Sequence, residues 1–159
     1  MSQASLAKWL KAIILATGFC GLVLYFLIFP LYGQGLVLDD PELSSRRWAW
    51  LILIWVTAVP CYAVLALSWH ISSEIAADRS FTEKNALLLK RIAGLALLDS
   101  GIFFVGSAAY LLLGLSHPGV ALFSLLVVAA GIVFAVAAAA LSHLVRKAAD
   151  LRQENELTI

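Results

Sequence analysis

The sequence predicts an all-α, polytopic membrane protein: an antiparallel four-transmembrane-helix bundle with both termini cytoplasmic. Three observations carry that expectation. First, 62% of the 159 residues are hydrophobic and only 13% charged, with a mean hydropathy of +0.94. Soluble domains run at about 45–50% apolar and about 25% charged, and a soluble chain of this length has no interior large enough to hide the excess. Second, the apolar residues gather into four stretches, at 12–32, 48–71, 92–115 and 120–145, each long enough to cross a bilayer. Third, Lys and Arg are distributed unequally between the connections. Composition also excludes a disordered chain, and a net charge of +1 offers no footprint for direct nucleic-acid binding.

Each stretch reads as a helix, because none alternates like a strand and lipid leaves backbone groups no other partner. Lys8 and Lys11 precede the first span as they would a signal peptide. The apolar run is too long for a typical signal core, and no small-x-small cleavage site follows, so a retained anchor is expected. Phe19 stands before Cys20 where lipoprotein attachment needs a small residue. The first loop carries Asp39, Asp40 and Glu42 around Pro41; these acids are read as solvated rather than cation-binding. Trp48 and Trp69 border the second span as interfacial anchors.

The middle loop follows, where Ser80 and Glu83 have capping-box spacing and predict a helical extension over 81–91 that runs into the third span. Only four residues, 116–119, separate the third and fourth spans, and the fourth extends as a helix over 146–156. The two extensions predict a stalk in which Leu144, Ala148 and Leu151 meet Leu87, Leu88 and Leu89. In it Lys84, Lys90 and Arg91 lie opposite Asp150, Glu154 and Glu156. The whole chain, 1–159, is a single membrane domain.

Nine basic residues (Lys8, Lys11, Arg79, Lys84, Lys90, Arg91, Arg146, Lys147 and Arg152) fall at the termini and in the middle loop; Arg46 and Arg47 alone fall in the first loop. By the positive-inside rule both termini are cytoplasmic. Gly18, Gly21, Gly94, Gly101, Gly106, Gly131, Ala135 and Ala139 supply small surfaces for close helix approach, within one chain or across a homodimer.

Asp99 is the single formally charged residue inside the four spans. A carboxylate at that depth costs roughly 2.5–3.5 kcal/mol on insertion scales and is expected to face the protein interior. Ser100, Cys61 and Cys20 lie at similar depth and, with Asp99, form the candidate intramembrane polar site, near the backbone break at Pro60. A proton or cation site is one reading; a hydrogen-bonded Asp that fixes helix register is the blander and favoured one. Cys20 and Cys61 are read as inert, because Cys-x-x-Cys spacing is absent. His70, His143 and Glu74 lie near one border, without the tight spacing of a metal site, and are read as border residues. His117 needs no role. No cofactor motif, nucleophile elbow or metal signature occurs, so no enzyme is expected.

Two segments carry a family resemblance. Residues 78–85, Asp-Arg-Ser-Phe-Thr-Glu-Lys-Asn, lead into Leu87-Leu88-Leu89-Lys90-Arg91-Ile92. This resembles the G-x-P-F-[ST]-x-x-N-x-x-x-L-[KR]-x-I pattern of a bacterial family, the DUF-2975 group of small four-helix membrane proteins. The ending Glu154-Asn155-Glu156-Leu157-Thr158-Ile159 is similar to that family's closing E-N-D-L-T-[IV] string. Departures are Arg79 and Ser80, where Gly and Pro are common, and Glu156, where Asp is usual.

Genes of the family often stand beside a Cro/CI-type helix-turn-helix regulator. The resemblance therefore implies a protein in the bacterial cytoplasmic membrane that modulates such a partner. Phe81, Thr82, Asn85, Lys90, Arg91, Glu154, Asn155, Leu157 and Thr158 form the candidate cytoplasmic interaction surface. The alternative expectation is a small transporter or channel subunit that uses Asp99.

Overall fold

The computed structural model describes residues 3–39 and 44–156. Its order is α1 (Gln3–Val23), a π-helical turn (Leu24–Ile28), α2 (Phe29–Asp39), α3 (Ser44–Ala76), α4 (Glu83–Leu112) and α5 (Pro118–Glu156). The first three run on as one helix, so four helices are long and apolar enough to cross a membrane: Gln3–Gly35, Arg46–Ala76, Glu83–Leu112 and Pro118–Glu154. No strand occurs among the described residues.

Pro30 explains the π turn. It has no N–H to offer the carbonyl one turn earlier, and the ladder slips so that the Phe29 amide bonds back to Leu24 O. α3 carries Pro60 without interruption. It ends in a Schellman arrangement, in which Arg79 N donates to Glu74 O and Asp78 N to Ile75 O. Asp78 takes the left-handed position of that motif, at φ 58°, a conformation that Asp tolerates better than most non-glycine residues. α4 ends the same way, with Gly114 at φ 70° and Leu115 N donating to Tyr110 O. Pro118 then opens α5, where it forfeits no helical hydrogen bond, and His117 Nδ1 accepts from Gly119 N at 3.1 Å.

The helices associate in chain order: α1 and α2 on α3, α3 on α4, α4 on α5. Among the described residues neither α1 nor α2 reaches α4 or α5, and α3 does not reach α5. The expected bundle is therefore an open row of helix pairs, with no contact closing its ends. It exposes 10,495 Å², where a compact soluble monomer of 17.2 kDa exposes about 7,800 Å². In a membrane, lipid rather than a dry core covers those apolar faces.

Register follows the small residues. A Cβ at Gly106 would lie 2.9 Å from Leu53 Cδ2, and one at Gly131 would collide with Ser100 Oγ. Glycine at these two positions lets the backbones close. Ser142 Oγ donates to Ala86 O at 2.7 Å, so residue numbers fall along α5 as they rise along α4. The seam on α5 is Ser124, Val128, Gly131, Ala135, Ala138, Ser142 and Val145, a 3–4 spacing. Ala139 is off it and exposed, and Gly94 and Gly101 meet no side chain within 4 Å. Ile92, Ala93 and Ala138 form a buried cluster where α4 meets α5, and the partly buried Val64, Leu67 and Ile71 of α3 pack against that cluster.

The same register corrects the expected stalk. It turns Val145 inward (9% exposed) and leaves Leu144 and Leu151 at 63% and 54%, with Leu87 also outward. With Ala86 opposite Ser142, α5 runs about ten residues, roughly 15 Å, past the start of α4.

Candidate functional site

Two polar constellations stand out, one inside the helix row and one at its loop end. The inner one is built where α3 touches both neighbours. Cys61 Sγ donates to Asp99 Oδ2 at 3.4 Å, and Tyr25 Oη donates to Cys61 Sγ at 3.8 Å. Tyr25 sits in the π turn. Its carbonyl accepts from Trp55 Nε1 at 3.0 Å, and its ring lies 6.4 Å from that of Tyr62, whose hydroxyl donates to Gly18 O at 2.8 Å. Asp99 Oδ1 is buried and makes no hydrogen bond to the protein. The line Tyr25–Cys61–Asp99 thus crosses three successive membrane helices, held by weak sulfur bonds and ending on an unsatisfied carboxyl oxygen.

Only part of the predicted group assembles there. Cys61 joins Asp99. Ser100, one residue on, is turned about 100° round the helix; it is buried against Gly131 of α5 and donates to Ala96 O at 2.8 Å. Cys20 is exposed, because Gly18, Gly21 and Tyr25 carry the α3-facing side of the first helix. Shared depth does not give shared direction on a helix. Tyr25 is the residue that sequence reasoning missed; Pro30, five residues later, was its one signal.

The second constellation is the α3–α4 connection. Thr82, not Ser80, caps α4, its hydroxyl accepting from Asn85 N at 3.3 Å, so the helix starts at Glu83. Asn85 is 1% exposed. Its Nδ2 donates to Arg79 O at 2.9 Å and to Ser80 O at 3.0 Å, tying down the loop that precedes it. Glu74, beyond the apolar stretch 48–71, takes Lys84 at 2.7 Å and Arg79 at 3.0 Å. Lys84 is therefore committed to α3 rather than to the α5 extension. Phe81, Lys90, Arg91 and Glu154 are exposed. The side chain of Asn155, and all of Leu157 and Thr158, lie outside the described residues, as do Asp40, Pro41 and Glu42.

The hydrogen bond from Lys84 does most to hold the Glu74 carboxyl below the usual glutamate range; desolvation opposes it, and the charges of Arg79 and Lys84 add to the lowering. The ion pairs therefore contribute fully above the ordinary value of 4.5 and fade as the pH falls through the lowered folded-state value. Glu74→Gln is expected to melt slightly below wild type at neutral pH in detergent, and the gap to narrow as the pH falls below 4.5. A gap constant over that range contradicts the assignment. His70 and His143 are exposed, on helices that do not touch. No group of three metal-ligating side chains forms among the described residues.

The sequence profile of a family described as "Protein of unknown function (DUF2975)" matches residues 34–159. The uncharacterized membrane protein YoaS of Bacillus subtilis (strain 168) is similar, 29% identical over 121 residues, which cover 75% of this chain and 76% of that protein. No solved structure matches. The match takes in both constellations except Tyr25 and spans most of the chain, which thus belongs to the DUF2975 family of membrane proteins.

Proposed function

We propose that the protein is an interaction module of the cytoplasmic membrane. In this reading the helices form an antiparallel set with both termini cytoplasmic, and the α3–α4 loop and α5 extension present a docking surface to a soluble regulator. One observation carries the reading: α5 outruns α4 by about three turns and keeps Leu151 exposed on that extension. A helix end projecting into water with a large apolar side chain outward is suited to an occupant. The helix register supports the orientation, because it gathers the nine basic residues of the termini and middle loop at one end, where the positive-inside rule assigns the cytoplasm. The family resemblance makes a Cro/CI-type helix-turn-helix protein the first partner to test.

A second reading, a transporter or channel subunit, is favoured by the partnerless Oδ1 of Asp99. The two separate genetically. A chain ending at Arg146 is expected to abolish control of a reporter driven by the regulator's operator, while Asp99→Asn leaves that control intact. The reverse pattern assigns the function to Asp99 and overturns the docking proposal.

A further inference from the structure

Nine of the eleven basic residues gather at the end of the helix row that carries the α3–α4 connection. Arg46 and Arg47 stand at the other end, in the first turn of α3. Of the two, Arg47 is held in place. Its aliphatic stem lies against Gly33 of α2, where a Cβ would come within 2.9 Å of Arg47 Cγ and 3.2 Å of Cδ, so glycine makes the room for it. Its guanidinium carbon sits 4.9 Å from the centroid of the Trp48 ring. Arg47 Nε is buried, and among the described residues the guanidinium makes no hydrogen bond or ion pair. A permanently charged fork of donors is thus fixed by a stem and a ring, with no anion against it.

Depth and chemistry name the anion. Trp50 and Tyr110 form an edge-to-face pair 5.4 Å apart, with Trp50 Nε1 donating to Leu115 O and Tyr110 Oη to Ala49 O. Such amphipathic rings mark the membrane–water interface. Arg47 lies about 4.5 Å beyond Trp50 along α3, on the side away from the apolar span, level with lipid phosphates rather than acyl chains. Tyr32, next to Gly33, and Trp48 are 69% and 51% exposed and place two more interfacial rings at this border. A guanidinium stacked on an indole keeps its terminal N–H groups in one plane, the geometry that suits two oxygens of a phosphate. A phospholipid brings its phosphate to this depth on its own acyl chains, an advantage in effective concentration that a free anion lacks.

We infer that Arg47 binds the phosphodiester of one membrane glycerophospholipid through its terminal N–H groups, with the Trp48 ring as its platform. The inference is independent of the proposed function. The test titrates the full chain, delipidated in detergent, with phosphatidylcholine or with galactosyl diacylglycerol of the same acyl chains, and counts bound lipid by native mass spectrometry. Phosphatidylcholine carries no net charge, which limits its recruitment by the basic residues at the far end. The wild type is expected to bind its first phosphatidylcholine about tenfold more tightly than its first galactolipid, the worth of a hydrogen bond to a charged group. Arg47→Gln should remove that preference, and Gly33→Leu should lower it by displacing the Arg47 stem. Lys90→Gln, at the far end, should leave it unchanged. Equal affinity for the two lipids, a preference that survives Arg47→Gln or is lost in Lys90→Gln, or displacement of the lipid by millimolar inorganic phosphate overturns the inference. Should Arg47→Gln fail to insert, Arg47→Lys decides, because it keeps the charge and loses the fork; the preference is expected to fall, and one kept in full overturns the inference.

Discussion

Asn85→Ala is expected to destabilise the protein by about 2–3 kcal/mol, read as a lowered denaturation midpoint in detergent. The side chain is almost wholly enclosed and donates to two loop carbonyls. Removing it leaves both loop carbonyls short of a donor, at about 1–3 kcal/mol for a buried group left unsatisfied, tempered by water reaching the exposed Arg79 and by loss of the side chain's own buried, unpartnered Oδ1. Asn85→Asp separates hydrogen bonding from volume. It fills nearly the same space but cannot donate when ionised, so it should lose as much stability as alanine. An aspartate variant as stable as wild type would mean that Asn85 only fills space.

Gly131→Leu is expected to separate α4 from α5. Even the first carbon of a side chain there collides with Ser100 Oγ and comes within 3.5 Å of Ser100 Cβ. A serine hydroxyl can rotate away, so Gly131→Ala should be mild. Leucine has no such escape, and overpacking typically costs about 1–3 kcal/mol. Separation should also break the Ser142 bond to Ala86 O, about 17 Å further along the seam. A cysteine pair at 86 and 142 should therefore cross-link efficiently in wild type and poorly in Gly131→Leu. Equal cross-linking in both would show that Gly131 does not set the hairpin's register.

The four helices were legible because hydropathy averages over many residues, and errors at single positions cancel. Their ends were less so. Ser80 was read as the cap from its spacing to Glu83, whereas Thr82 takes that place beside the buried Asn85, a tertiary fact that local spacing does not carry. The π turn is similar. Pro30 announces a disturbed ladder, but Tyr25 becomes part of the inner constellation only because Trp55 and Cys61 of α3 are there to meet it.

Azimuth was the weakest inference. Cys20, Cys61 and Asp99 were grouped by depth, and depth was a sound guide for two of them. Cys20 fails because Gly18 and Gly21 define the contact face of its helix. Leu144 was placed in the stalk because it shares a helix face with Ala148 and Leu151. The seam that begins at Ser124 and Val128 instead selects Val145, and hydropathy alone cannot fix that phase.

The loop end is where these strands meet. Asn85 fixes the connection, Glu74 clips it to α3 and α4, and α5 passes beyond it. The most direct test places a photo-crosslinking residue at Leu151 of the full chain, in cells that also carry the helix-turn-helix regulator under test. The regulator should be captured from position 151, still captured with Asp99→Asn, and not captured from Leu122 at the other end of α5. Adducts to lipid alone from position 151, or equal capture from both positions, would contradict a docking surface at the end of α5.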